Sequence, residues 1–439
     1  MIAGMTRPDD DGAMRRMGSP GRTLRPSRSF VTRREILMMS GLTVLGLVAG
    51  NDAASPAAGP SARSDDAIRP AESTITLFLC GDVMTGRGID QVMPHPADPA
   101  ICEPYVRSAL GYVELAEAMN GPIARPVDYA YIWGDARAEL DRVRPDTRIV
   151  NLETAVTERT DCLPKGINYK MSPRNIPCLT AAAIDCCVLA NNHVIDWGYA
   201  GLEDTLDALA KAGIGTAGAG RNDAEAAKPA VIDVAGRGRA VVIGLGTSSS
   251  GIPRSWAASP DRAGVNLIGD LSRRAATAIA GKLGAIRQPG DVVVASIHWG
   301  GNWGYAIPEA HVRFAHALID EAKVDVVHGH SSHHPRAVEV YNGRLVLYGC
   351  GDFLNDYEGI TGYEEFRDDL ALAYFPTVSA ASGTLRRLEM TVFRIKNFRL
   401  VRASAADTAW VARTLSREGE RFGTRVVETG GAGLMLDWS

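Results

Sequence analysis

Residues 186–198 read Cys186-Cys187-Val188-Leu189-Ala190-Asn191-Asn192-His193-Val194-Ile195-Asp196-Trp197-Gly198. Five apolar residues suit a short buried strand, and they stop abruptly at a polar cluster. The same grammar recurs four times. Ile75–Cys80 runs into Gly81-Asp82-Val83-Met84, and Arg148–Val150 into Asn151-Leu152-Glu153. Val292–Ile297 runs into His298-Trp299-Gly300, and Val324–Val327 into His328-Gly329-His330-Ser331-Ser332-His333-His334-Pro335. Helical patterns lie between such runs. Gly201–Ala212 sets Leu202, Leu206 and Leu209 on one face, and Glu309–Ala322 does the same with Val312, Phe314, Ala315, Leu318 and Ile319. Strands alternating with helices predict an α/β layered fold, with a further strand over Ala240–Leu245.

The pattern changes near the C-terminus. Ala337–Tyr341 and Arg344–Tyr348 flank Asn342-Gly343, the signature of a tight hairpin. Alternating strands continue through Leu385–Arg402, and a final helix is expected over Ala405–Arg417. The sheet is therefore mixed, with late antiparallel strands. No internal repeat and no linker interrupts the chain after residue 74, so residues 75–439 read as one domain.

In an α/β sheet, ligands gather at the carboxyl ends of strands. Five clusters of Asp, Glu, Asn and His would converge there, and these are ligands for a borderline divalent cation such as Mn, Fe or Zn. Taken singly, each cluster has a plainer reading. A lone His at a strand end more often satisfies a hydrogen bond, Asp82 could cap a turn, and Asn151 and Asn191 could hold tight turns. Six of the nine His residues sit at or near these junctions, however: His193, His298, His328, His330, His333 and His334. That concentration favours a metal or catalytic site. His311 and His316, on the expected helix, read as structural, and His95 lies in a Pro-rich loop.

Competing motifs fail on context. Gly213-x-Gly215-x-x-Gly218 follows a helix where a dinucleotide site needs a strand, and Gly246 to Gly251 misses the spacing of a serine nucleophile turn. No phosphate-binding loop of the G-x-x-x-x-G-K-[ST] type and no H-E-x-x-H occurs. The chain of 439 residues has 47 basic and 51 acidic side chains, a net charge of −4, which gives no basis for nucleic-acid binding. That total hides an asymmetry. Residues 1–34 hold eight Arg against three Asp, or +5, leaving −9 for the rest.

The basic start has its own logic. Thr32-Arg33-Arg34-Glu35 precedes an apolar run, Ile36 to Ala49. That run is short for a membrane span of ~20 residues. A paired Arg before such a run resembles a twin-arginine export signal. Residues 1–50 are assigned to it and 51–74, rich in Ala, Pro, Ser and Asp, to a flexible linker. The protein is expected to be exported (periplasmic, extracellular or anchored by an uncleaved signal), with membrane contact only through this segment. Of the seven Cys, Cys80, Cys186 and Cys350 fall in strand-like runs and read as core. Cys102, Cys162 and Cys178 lie in loop-like sequence, where one oxidised pair is plausible and free thiols are the alternative.

Taken in order, Gly81-Asp82-Val83-Met84, Asn151-Leu152-Glu153, Asn191-Asn192-His193 with Asp196 and Gly198, His298-Trp299-Gly300 and Gly329-His330-x-x-His333 resemble the CapA family. That family is named for capsule and poly-γ-glutamate biosynthesis and is related to the calcineurin-like metallophosphoesterases. The resemblance spans Ile75 to Asp356 and includes Tyr348-Gly349-Cys350-Gly351-Asp352-Phe353, with Asp352 where Asn is more usual. It implies a metallophosphatase-like β-sandwich of mixed sheets flanked by helices, with one or two divalent ions. By the same resemblance Asp82 would ligate a first metal and Glu153 bridge. Asn192, His298 and His330 would hold a second metal, and His333 would reach back to the first. His193 would act as general acid or transition-state stabiliser, oriented by Asp196. Arg87 and Asp352 are the candidate substrate contacts, Arg87 for an anionic group unless a surface ion pair takes it. Two departures from the wider superfamily bear on the first metal: Met84 stands where His is usual, and His330 and His333 are separated by two residues instead of one. The implied activity is hydrolysis of a phosphoester or related bond in a cell-envelope polymer. The alternative is an accessory part of a membrane poly-γ-glutamate synthase, with polymer-synthase subunits as partners.

Overall fold

The computed structural model describes residues 73–439 and the two-residue strand Met5–Thr6. The expected export signal and linker otherwise lie outside the described residues. Among these, no helix is long and apolar enough to cross a membrane.

The principal strands are β1 (Thr74–Val83), β2 (Thr147–Leu152), β3 (Cys186–Val188), β4 (Gly215–Ala217), β5 (Ala230–Val234), β6 (Gly238–Gly246), β7 (Asp291–His298) and β8 (Val326–His330). After them come β9 (Val338–Tyr341), β10 (Arg344–Leu347), β11 (Asp352–Leu354), β12 (Leu370–Ser379), β13 (Leu385–Lys396), β14 (Arg399–Arg402), β15 (Thr424–Gly430) and β16 (Gly433–Trp438). The principal helices are α1 (Gly88–Val92), α2 (Leu110–Asn120), α3 (Asp135–Val143), α4 (Gly198–Lys211), α5 (Arg273–Gly284), α6 (Glu309–Asp320) and α7 (Ala405–Gly419).

These strands form two large sheets. One has ten strands, ordered β15-β16-β13-β12-β1-β2-β3-β4, with β11 beside β1 and β14 beside β13. The other has six, ordered β9-β10-β8-β7-β6-β5. β1 to β4 run parallel, as do β6, β7, β8 and β10, and β11 joins β1 in parallel, while β12 to β16 of the large sheet and both edges of the small one pair antiparallel. The mixed-sheet expectation holds.

Alternation along each strand explains the layering. In β1, Ile75, Leu77 and Leu79 join one buried cluster with Ala240 and Val242 of β6 and Val292 and Val294 of β7. That cluster is the core between the sheets. Phe78 and Cys80, one residue out of phase, join Ile89, Trp133, Leu140, Leu202 and Leu206 from the helices over the large sheet. Val241, Ile243, Val293 and Ala295 face Ile279, Leu283, Phe314 and Leu318 of α5 and α6. The result is a sandwich of two mixed sheets with helices on both outer faces, the expected fold class.

The hairpin turn falls where Asn342-Gly343 predicted it, with φ of 48° and 73° at the two residues, a backbone that Asn and Gly tolerate best. One expectation fails. The helix over Ala405–Gly419 does not end the chain, because β15 and β16 follow and extend the large sheet. Cys80, Cys186 and Cys350 are buried, as expected, and the oxidised pair is Cys102–Cys162. Cys178 is buried and free.

Candidate metal centre

The parallel strands bring their carboxyl ends to one edge. Asp82 of β1 pairs in register with Asn151 of β2 and with Asp352 of β11. On the opposing sheet, His298 at the end of β7 is in register with His330 at the end of β8. Each of these side chains is buried.

Two groups of three converge, each with its ligand atoms within 4.8 Å of one another: Asp82, His298 and His330, and Asp82, His333 and Asp352. Asp82 belongs to both. Its Oδ1 accepts from Asn151 Nδ2 at 2.7 Å, and its Oδ2 accepts from Ser331 N at 3.2 Å. Asn151 Oδ1 in turn accepts from Asn191 Nδ2 at 3.1 Å, and Asn191 Oδ1 accepts from the backbone of His193 and Val194. The two asparagines thus act as splints between strand ends. His298 Nδ1 lies 2.8 Å from His330 Nδ1, and His298 Nε2 lies 3.0 Å from Asn192 Oδ1. Glu153 Oε1 sits 3.7 Å from both His193 Nε2 and His298 Nε2. His333 Nδ1 bonds Asp352 Oδ1 at 2.8 Å, and Asp352 Oδ2 accepts from Asn355 Nδ2.

His193 completes the group from the other side. Its Nδ1 lies 2.7 Å from Asp196 Oδ2, so Nδ1–H donates to the carboxylate and Nε2 faces Glu153. The edge of the Tyr169 ring closes on the imidazole at 4.5 Å between centroids.

The electrostatics suit a cation. Burial, then the Asp352 carboxylate, pushes Asp82 up to about 7 against the opposing pull of His333 and Asn151. Burial and the charges of Asp82 and Asp352 push Glu153 well above the usual carboxylate range. Burial drives His298 and His330 well below the usual imidazole range, aided by neighbouring histidines, so both are neutral. Crowded carboxylates and neutral imidazoles are the donor set that Mn, Fe or Zn takes, and the charge of such an ion would relieve the crowding.

Not every sequence-derived residue joins the cluster as expected. Asp352, expected to touch substrate, stands in a ligand group with Asp82 and His333. The carboxylate common to both groups is Asp82, with Glu153 beside them. The ion pair that Arg87 makes is internal and not on the surface. Arg87 is buried, and it donates to Glu103 Oε1 at 3.1 Å and to both oxygens of Asp356. Its guanidinium also lies 3.8 Å from the Tyr112 ring centroid and 4.3 Å from that of Tyr169. Two internal carboxylates consume its charge. His328 bonds Ser296 Oγ and the carbonyl of Cys80, which makes it a brace between the sheets. His334 packs on Phe366 and Tyr305. Met84 Sδ accepts a hydrogen bond from Tyr357. The sequence reading missed Lys165, whose Nζ reaches Asp196 Oδ1 at 2.8 Å.

Residues 76–357 match the family model described as bacterial capsule synthesis protein PGA_cap. The chain belongs to this family. The PGA_cap match covers all the residues of the centre. A relative in Mycobacterium tuberculosis, described as "Probable polyglutamine synthesis accessory protein", is 48% identical over 355 residues, 80% of this chain and 93% of that protein. The "PGA biosynthesis protein CapA" of Bacillus subtilis is 25% identical over 305 residues, covering 69% of this chain and 68% of the other. Among solved structures, a novel phosphatase from Mycoplasma pneumoniae superposes with a TM-score of 0.41 at 12% identity, over 74% of this chain and 94% of its own.

Proposed function

We propose that this PGA_cap protein is an exported, metal-dependent hydrolase that cleaves a phosphoester or related bond during the making of a capsule or poly-γ-glutamate polymer. The observation that carries the reading is the convergence of Asp82, His298, His330, His333 and Asp352 beside a His193–Asp196 pair. Asp82, His298 and His330 would hold one divalent ion and Asp82, His333 and Asp352 a second, with Glu153 and Asn192 at the edge of the first. Such ions supply Lewis acidity and a water acidic enough to react near neutral pH.

The chain's own residues do the rest. Asn151 and Asn191 fix the strand ends, Asp196 holds the proton of His193 on Nδ1, and Nε2 is left to exchange a proton with substrate. A second reading draws on the Mycobacterium relative's description as an accessory protein. In that reading the centre is structural, and the protein serves polymer-synthase subunits in the membrane without hydrolysis.

Metal content and turnover of model phosphoesters with Mn, Zn or Fe, measured on the purified full chain and on His298→Ala, separate the two. Hydrolysis requires the parent to bind metal and turn over, and the variant to lose at least 100-fold in rate. Equal inactivity of metal-replete parent and variant on every ester removes the hydrolase reading and leaves the accessory one.

A further inference from the structure

Asp196 is fully buried, and the loop that follows Cys162 wraps around it. Leu163 N donates to the Asp196 carbonyl at 2.8 Å, Lys165 Nζ to Oδ1 at 2.8 Å, and Tyr169 N to Oδ2 at 2.8 Å. The remaining contact at Oδ2 is His193 Nδ1. The loop is itself fastened. Cys162 is bonded to Cys102, and Asn168 N donates to Glu103 Oε1 at 3.2 Å.

Lys165 is not a solvated lysine with an incidental partner. Its side chain is 18% exposed, Nζ also donates to the backbone carbonyl of Asn192 and stands 3.2 Å from His193 Nδ1, and the Trp256 ring centroid lies 5.4 Å away. Two of its three ammonium protons are thus committed to the segment that carries Asn192, His193 and Asp196. The consequence is orientational. A carboxylate turns readily about its last bond, and a donor at Oδ1 fixes its plane so that Oδ2 stays opposite both Tyr169 N and His193 Nδ1. His193 is then held with Nε2 toward Glu153. The bond to the Asn192 carbonyl steadies the residue whose side chain meets His298.

We propose that Lys165 is a positioning residue of the metal centre, which locks Asp196 and through it aims His193 Nε2 into the ligand cluster. The kinetic part of this proposal rests on the hydrolase reading above; the orientational part does not.

The test uses the full chain as parent, Lys165→Met and Lys165→Arg, with two readouts. With a model phosphoester, Lys165→Met should lower kcat about 10- to 100-fold, the usual cost of losing a residue behind the first ligands. KM and metal content should hold, and Lys165→Arg should regain part of the rate. A raised KM at unchanged kcat would instead make Lys165 a substrate contact and overturn the proposal. In parallel, zinc-loaded protein labelled with 15N-histidine should show a downfield, exchange-protected Nδ1 proton for His193, assigned by its absence in His193→Gln. That signal should vanish in Lys165→Met and survive in Lys165→Arg; its survival in Lys165→Met refutes the positioning role. Should no ester be turned over, the hydrolase reading falls and this signal alone decides the inference. If Lys165→Met does not fold, Lys165→Gln takes its place under the same criterion.

Discussion

Replacing Arg87 with Ala would remove a cation from between two buried carboxylates. In the native chain the guanidinium makes a two-point contact with Asp356 and a third bond to Glu103, all with side chains no more than 1% exposed. After the change, Asp356 keeps the Gly88 backbone donor and Glu103 keeps Tyr112 and Asn168 N, so neither is bare. Both would nonetheless be buried anions without a counter-charge, a defect that costs about 3–5 kcal/mol. The lost stacking on Tyr112 and Tyr169 adds about 0.5–2 kcal/mol and overlaps with the first figure. We expect a loss of about 4 kcal/mol in urea unfolding, seen as a lower midpoint at unchanged slope. Removing the orphaned charges as well, in Arg87→Met with Glu103→Gln and Asp356→Asn, should restore most of it, because a neutral buried set does not carry the penalty of an unpaired one. A single variant that loses under about 1 kcal/mol, or a triple variant no more stable than Arg87→Ala, would refute the reasoning.

Glu139 of α3 supplies a pH prediction. Burial pushes its carboxyl up, but hydrogen bonds from Arg142, Arg402 and Thr391 outweigh that and hold it at about 2. Its folded value lies below the unfolded one, so its contribution is present above the ordinary Glu value and is lost as pH falls from about 4.5 toward 2. The two Arg partners are about half exposed, so we expect about 1–2 kcal/mol, measured as a shallower acid loss of stability in Glu139→Gln. Reduction of Cys102–Cys162, which closes a span of 60 residues, should lower stability by about 2–4 kcal/mol. Dithiothreitol should therefore shift the unfolding midpoint of the parent and leave a Cys102→Ser, Cys162→Ser chain unmoved. Gly81→Ala would place a methyl group 1.5 Å from the Gly351 carbonyl oxygen, where β1 meets the loop before β11. The prediction is a loss of soluble folded protein on expression, and near-parent yield would refute it.

Much of the centre was legible in the sequence because parallel strands of one sheet must end on the same edge. Asp82, Glu153 and Asn192 follow strands of one sheet and His298 and His330 end strands of the other, so topology clusters each set, and the packing of the two sheets brings the sets together. The apolar phase of Ile75, Leu77 and Leu79 against Phe78 and Cys80 likewise marks a strand buried on both faces. The closing hairpin over Thr424–Trp438 escaped notice because the strand signal of its largely polar first half is weak.

By itself the sequence determined the fold class, the family, the edge at which the centre lies and the residue types that form it. These depend on local periodicity and on the order of short motifs along the chain. Only the tertiary structure decided that Asp82 belongs to both candidate ligand groups, that Asp352 stands in one of them, that Arg87 is spent on Glu103 and Asp356, and that Lys165 bonds Asp196. Each of these is a contact between side chains brought together by loops, 269 residues apart for Arg87 and Asp356 and 31 for Lys165 and Asp196. A hydrogen bond is set by distances of a few tenths of an ångström, and no periodicity in the chain encodes them.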